Sequence, residues 1–134
     1  MRSIHKIIIH HTATTKDMDI GAEEIRRWHV HERGWRDVGY HYIIRRDGSL
    51  EYGRPVEQSG AHAIGHNQDS IGVALVGGSP DVNFTRKQWL SLKELISELS
   101  SKYPQAEIVG HRDVGSTHCP GFDVAAWWNG DGDA

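Results

Sequence analysis

Cysteine is nearly absent from this 134-residue chain, occurring once, at Cys119. A lone cysteine cannot close an intramolecular disulfide, so the fold must hold without that staple and is expected to be independent of redox state. Long apolar runs are missing too. The run Ile7-Ile8-Ile9 is far short of the roughly 20 apolar residues of a membrane span. It is also shorter than the about 7–15 apolar residues of a secretory signal, so the product is expected in the cytoplasm of the producing cell. Nor is there an excess of basic charge: 15 Lys and Arg stand against 18 Asp and Glu, for a net charge of -3. That balance gives no electrostatic footprint for nucleic acid. Internal repeats and low-complexity linkers are likewise absent.

What is present fits one domain over residues 1–134, with its core at about 4–128 and a frayed tail at 130–134. Ile4 to His10 is a continuous apolar run, as in a strand buried on both faces. Gly21 to Arg33 predicts a helix, with Ile25, Trp28 and Glu32 at helical spacing and Gly34 closing it. From Gly39 to Arg46 the residues alternate, with Tyr40, Tyr42 and Ile44 on one face and His41 and Ile43 on the other. Asp47-Gly48 predicts a two-residue hairpin turn that returns the chain through Leu50 to Gly53.

Ser70 to Val76 predicts a second buried strand, bounded by Gly77-Gly78. Thr85 and Gln88 form a capping box opening a helix whose Trp89, Leu92, Ile96 and Leu99 make one apolar stripe, ended by Tyr103-Pro104. Ala106 to Gly110 is a short strand delivering His111, and Asp123 caps a last helix through Trp128. Helices alternating with strands around one hairpin give an α/β class with a mixed sheet.

Two histidine-bearing segments almost a chain length apart carry the chemistry: Lys6-Ile7-Ile8-Ile9-His10, and the loop from Gly110 to Pro120. His10, His111 and Cys119 offer two imidazoles and one thiolate, the ligand number and softness of a catalytic zinc site with its fourth position open. Such a trio can be drawn from many chains. The flanking residues single this one out.

"IIIHHTAT", "GWRDVGYHYIIRRDG", "GAHAIGHNQDSIGVALVGG" and "GHRDVGSTHCPG" occur in that order. Together they resemble the zinc-dependent N-acetylmuramoyl-L-alanine amidases, the family shared by bacteriophage lysis amidases and animal peptidoglycan recognition proteins. The resemblance runs from Ile4 to Trp128. It implies a central sheet with helices on its faces, one zinc ion per chain held by His10, His111 and Cys119, and bacterial peptidoglycan as partner. A monomer without nucleic-acid or membrane partners is expected, acting on the wall after release, as a phage or prophage endolysin does. His11, one residue on, points to the opposite face of an extended chain, and His118 is expected to be an exposed decoy.

The resemblance also implies roles beyond the metal. Tyr40 matches the family tyrosine whose hydroxyl faces the scissile carbonyl, with Tyr42 as its nearest confusion. Thr117 stands where many phage members place a lysine and recognition-type amidases carry threonine, so it can only hydrogen-bond. His62 and Asn67 fall in the substrate-groove loop. His62 is expected on the stem peptide or carbonyl, and Asn67 there or on the loop's own backbone. His5, His29, His31, His41 and His66 lack motif support as ligands and are expected to be structural or solvated. Arg36, Arg45, Arg46 and Arg54 cluster near the hairpin, where a guanidinium fork could take a stem carboxylate. A solvated charged face is the simpler account.

The implied reaction is hydrolysis of the amide between N-acetylmuramic acid and L-alanine. Three rival readings stay open at the level of sequence. One is a binding-only module, which in this family usually lacks the cysteine. A second is a cysteine hydrolase using Cys119 with His111, and a third is an interaction role against a host protein.

Overall fold

The isoleucines of the first strand leave it no polar face until His10, so it belongs in the middle of a sheet. In the computed structural model, which describes residues 2–34 and 38–130, that is where it lies. The strands are β1 (Lys6–His11), β2 (Tyr42–Ile44), β3 (Leu50–Tyr52), β4 (Ser70–Leu75) and β5 (Glu107–Gly110). The α-helices among the described residues are α1 (Ala22–Arg27), α2 (Arg86–Lys102) and α3 (Val124–Asn129). Sheet order is β3-β2-β4-β1-β5. Among the described residues only the β2–β3 pair is antiparallel; β1 runs parallel to both β4 and β5, and β2 runs parallel to β4. This is the expected α/β class with a mixed sheet.

Each sheet face has its own apolar cluster. On one, Ile7, Ile9, Ile71, Val73 and Leu75 meet the α2 stripe of Trp89, Leu92, Ile96 and Leu99, with Val124 and Trp127 of α3. Full burial of each such aliphatic side chain contributes roughly 1.5–3 kcal/mol. The other cluster joins Ile43, Ala74 and Val76 to Ile20, Ala22 and Ile25 around α1. Thr85 caps α2 as expected: its side chain accepts the Gln88 N–H at 3.1 Å, and Gln88 Oε1 accepts the Thr85 N–H at 3.0 Å. Asp123 caps α3 by accepting the Ala126 N–H at 3.1 Å.

Three local expectations need correction. The Asp47-Gly48 turn is not a two-residue hairpin. Arg45 N–H bonds Ser49 C=O at 2.9 Å and Gly48 N–H bonds Arg45 C=O at 2.9 Å, which leaves three residues in the loop. A two-residue type I′ turn needs positive φ at both central residues. Here Gly48, at φ +87°, is the residue of the turn in that region, while Asp47 uses its carboxylate to accept from Ser49.

The second concerns the face of Tyr40. It packs against the α1-side cluster with Ile43, whereas Tyr42 and Ile44 join the α2-side cluster. The pleat starts only at Tyr42, because the His41 imidazole, not a carbonyl, takes the Gly72 N–H at 3.0 Å.

The third concerns the first helix. Beyond Arg27 it widens into a π-helical turn over Trp28–Glu32, in which buried His29 turns its Nδ1 to the Gly39 N–H at 2.9 Å. Gly34 follows at φ +70°.

Of the arginines near the hairpin, the described Arg45, Arg46 and Arg54 are each engaged by partners within the protein. Arg46 ties Val76 C=O, Asn83 and Gln88 together, and Arg54 donates to the Val38 and Ser59 carbonyls. Arg45 pairs with Asp19 and Glu51. Arg36, and residues 131–134 of the tail, lie outside the described residues.

Candidate active site

The register of the parallel strands explains how two histidines a hundred residues apart become neighbours. Ile9 pairs with Gly110, so the next residue on each strand, His10 and His111, leaves the same sheet edge side by side. Their ring centroids are 4.6 Å apart. After His111 the chain makes a 3₁₀ turn through Asp113, whose carboxylate accepts the Gly110 N–H at 2.8 Å. The loop then folds back, pinned by Arg112 N–H to Cys119 C=O at 2.7 Å, and delivers the thiol.

One ligand atom from each of His10, His111 and Cys119 lies within 4.8 Å of the other two. Cys119 Sγ stands 3.8 Å from His10 Nδ1. Donors on a tetrahedral ion with bonds of 2.0–2.3 Å stand about 3.5 Å apart, so these three residues are close enough to hold a metal. His10 and Cys119 are buried and His111 is half-buried. Burial holds the His10 imidazole well below its ordinary pKa, with the neighbouring His62 and His111 adding to the effect. Both that shift and the lowered pKa of His111, also from burial, keep the rings neutral, as metal ligation requires. The Cys119 thiol is pushed up to about 11 by burial, against the opposing His11 backbone bond.

His11 turns away from this cluster. Its ring lies 6.5 Å from that of exposed His118, outside the group formed by His10, His111 and Cys119.

Tyr40 places its ring 5.1 Å from His10 and 5.7 Å from His29. Burial first, then nearby Cys119, raises its phenol above the ordinary tyrosine range, so it remains a proton donor at any working pH. Tyr42 instead contacts Tyr52 in the other cluster. The Thr117 hydroxyl oxygen accepts the Cys119 N–H at 3.2 Å, which ties this side chain to the ligand loop.

His62 and Asn67 both line the cavity of about 630 Å³ that contains His10, His111 and Cys119. Their polar atoms, however, are engaged within the protein. Asn67 Oδ1 accepts the backbone N–H groups of His62 and Ala63 at 2.8 and 2.9 Å, the loop-holding alternative. The His62 ring meets His10 Nε2 at 2.8 Å through Nδ1 and Ser70 Oγ at 3.2 Å through Nε2. Neither ring nitrogen of His62 is therefore left for a stem peptide. Its link to His10 had no signal in the local pattern, because it depends on residues that the fold brings together.

Four of the remaining histidines, His5, His29, His31 and His41, are structural or exposed as expected. His41 sits between Gly72 N–H and Gln58 C=O, His29 binds Gly39, and His5 and His31 are exposed. A second recess of about 360 Å³ shares Thr12, Ala13, His29, Arg33 and Tyr40 with the first, so the site continues as a groove toward α1. Ile64, 96% exposed, stands at its lip.

The family model for N-acetylmuramoyl-L-alanine amidase matches residues 1–122. The chain belongs to that family. It is 47% identical over 128 residues to the endolysin of Klebsiella phage KP32, covering 92% of this chain and 84% of that one. Among solved structures, the Ph2119 endolysin of a Thermus scotoductus MAT2119 bacteriophage superposes with a TM-score of 0.88 at 31% identity, covering 100% of this chain and 88% of the other. A mutant of Drosophila PGRP-LB, solved in complex with tracheal cytotoxin, gives a TM-score of 0.84 at 27% identity, covering 100% of this chain and 85% of the other. A phage endolysin and a peptidoglycan recognition protein thus share this architecture over the length of this chain.

Proposed function

We propose that the protein hydrolyses the amide between the lactyl group of N-acetylmuramic acid and L-alanine in bacterial peptidoglycan, with zinc held by His10, His111 and Cys119, as a phage-type endolysin. The observation that carries this reading is the convergence of those two imidazoles and one thiol on one cavity in a chain of the amidase family. The donor set suits zinc in number, softness and spacing, and leaves a fourth position for reaction. Zinc, when bound there, supplies a Lewis acid that polarises the amide carbonyl and acidifies water.

The chain's own residues do the rest. Tyr40, kept protonated by burial, donates a hydrogen bond to the oxygen on which negative charge develops. Thr117 contributes a hydroxyl from the ligand loop, and the Ala61–Ile64 wall, held in shape by Asn67, flanks the stem peptide. Every donor comes from one chain, which supports action as a monomer. No helix among the described residues is long and apolar enough to cross a membrane. The endolysin relatives support release from the producing cell as the route to the wall.

A cysteine hydrolase is disfavoured by the thiol itself. A nucleophilic cysteine needs its pKa lowered, and burial moves that of Cys119 the other way. The deciding experiment combines metal analysis of purified protein with digestion of purified peptidoglycan before and after chelation. The expected result is one zinc per chain, activity lost on chelation and restored by zinc, and new L-alanine amino termini. New reducing sugar ends, or full activity in metal-free protein, would overturn the proposal.

A further inference from the structure

The Ser70 hydroxyl has one proton and two neighbours. It lies 2.6 Å from the His66 carbonyl oxygen and 3.2 Å from His62 Nε2. Two bare oxygens would repel at the shorter distance, so the proton lies between Ser70 Oγ and the carbonyl. Toward His62 the hydroxyl can then only accept, which puts a hydrogen on His62 Nε2. A neutral imidazole carries one ring hydrogen, so His62 Nδ1 is a bare acceptor. It faces His10 Nε2 at 2.8 Å, so His10 must carry its hydrogen on Nε2. What remains on His10 is the Nδ1 lone pair, directed to the side where Cys119 Sγ stands 3.8 Å away.

The space for this chain of bonds is built in. A Cβ on Gly72 would meet the His62 ring at 2.7 Å, and one on Gly60 would meet it at 2.6 Å. Neither glycine has a positive φ, so what each contributes is room. Asn67 fixes the backbone at His62 itself. Ser70 is fully buried at the start of β4, where an apolar residue would serve packing better.

We propose that Ser70, acting through His62, sets the tautomer of His10, so that His10 meets the cation with its Nδ1 lone pair already turned toward it. Ser70 and His62 are positioning residues, and the proposal rests on reading His10 as a ligand. Outer partners of metal-bound histidines typically govern affinity about 10–100-fold. Without Ser70 the His62 Nε2–H loses its acceptor, and the ring gains by moving its hydrogen to Nδ1. That form donates to His10 Nε2 and drives the His10 hydrogen onto Nδ1, where it blocks coordination.

The test begins with metal-free, ¹⁵N-histidine-labelled wild-type protein, whose long-range ¹H–¹⁵N correlations report the tautomer of each ring. His10 and His62 should both be Nε2–H forms; a His62 in the Nδ1–H form overturns the proposal without any substitution being made. Ser70→Ala should show Nδ1–H character at both rings and a zinc Kd weakened about 10–100-fold in competition with a chromophoric chelator, while Ser70→Thr, which keeps the hydroxyl, restores both. Wild-type tautomers and zinc affinity in a folded Ser70→Ala protein would also overturn it. Zinc that leaves the His10 Nδ1 resonance unmoved would overturn the ligand assignment instead, a distinct failure because the metal-free tautomers are measured separately.

Discussion

The backbone N–H of His11 donates to the sulfur of Cys119 at 3.2 Å. Strand β1 therefore contributes twice to the site, through the His10 side chain and through the main chain one residue later. An N–H donor at sulfur stabilises the thiolate over the thiol, opposing the burial that holds the metal-free thiol protonated. Zinc binding should accordingly release a proton near neutral pH.

Cys119→Ser tests that arrangement directly. A serine hydroxyl is a far poorer ligand at neutral pH, so zinc stoichiometry should fall well below one per chain and wall lysis with it. His118→Ala, altering an exposed ring outside the donor group, should retain both. Metal content of the two purified variants, measured side by side, decides it.

Tyr40→Phe should separate chemistry from binding. The ring still fills its place beside His10 and His29, so zinc content and wall binding should match wild type. Turnover should drop by about 10²–10³, the usual consequence of losing one donor to a developing oxyanion. Wild-type turnover would reduce Tyr40 to a packing role.

Asn67→Ala removes the acceptor for two backbone N–H groups and should destabilise the protein by about 1–3 kcal/mol. Amide hydrogen exchange at His62 and Ala63 should quicken more than in β4. Asn67→Asp, which keeps the carbonyl-type oxygen, should retain most of the protection.

Acid should unfold the protein through its buried histidines. Burial, aided by Arg2 and Arg54, lowers the His41 pKa to about 4, despite the opposing bond to Gln58 C=O. Below pH ~6.5 the unfolded chain takes up a proton that the folded one refuses, so stability is full above that pH and falls as pH drops toward 4. The loss approaches about 1.4 kcal/mol per pH unit for one such site. Urea midpoints between pH 7 and pH 4.5 should show this slope, and His41→Gln should flatten it by up to one proton's worth.

The parts of the fold legible in sequence were those whose cause is local. The unbroken isoleucines of β1, the α2 stripe and the Thr85–Gln88 cap each follow from residues a few positions apart, and each is found where expected. The hairpin loop came out one residue longer because whether Asp47 adopts positive φ is settled by its bonds to Ser49. The face of Tyr40 was hidden because the His41 ring replaces a ladder bond to Gly72, thirty-one residues away. Motif strings gathered the residues around the cavity, yet the engagement of His62 with His10 and Ser70 arises only once β1 and β4 lie in register.

That register also sets an order of events in synthesis. Lys6 must wait for Ser70 on one side and Glu107 on the other before β1 has both its partners. Such distant pairings close slowly. A nascent chain that has exposed His10 carries one third of its donor set, and it acquires the last donor only when Cys119 clears the ribosome. A chain not yet extended to Cys119 cannot hold the ion on all three donors.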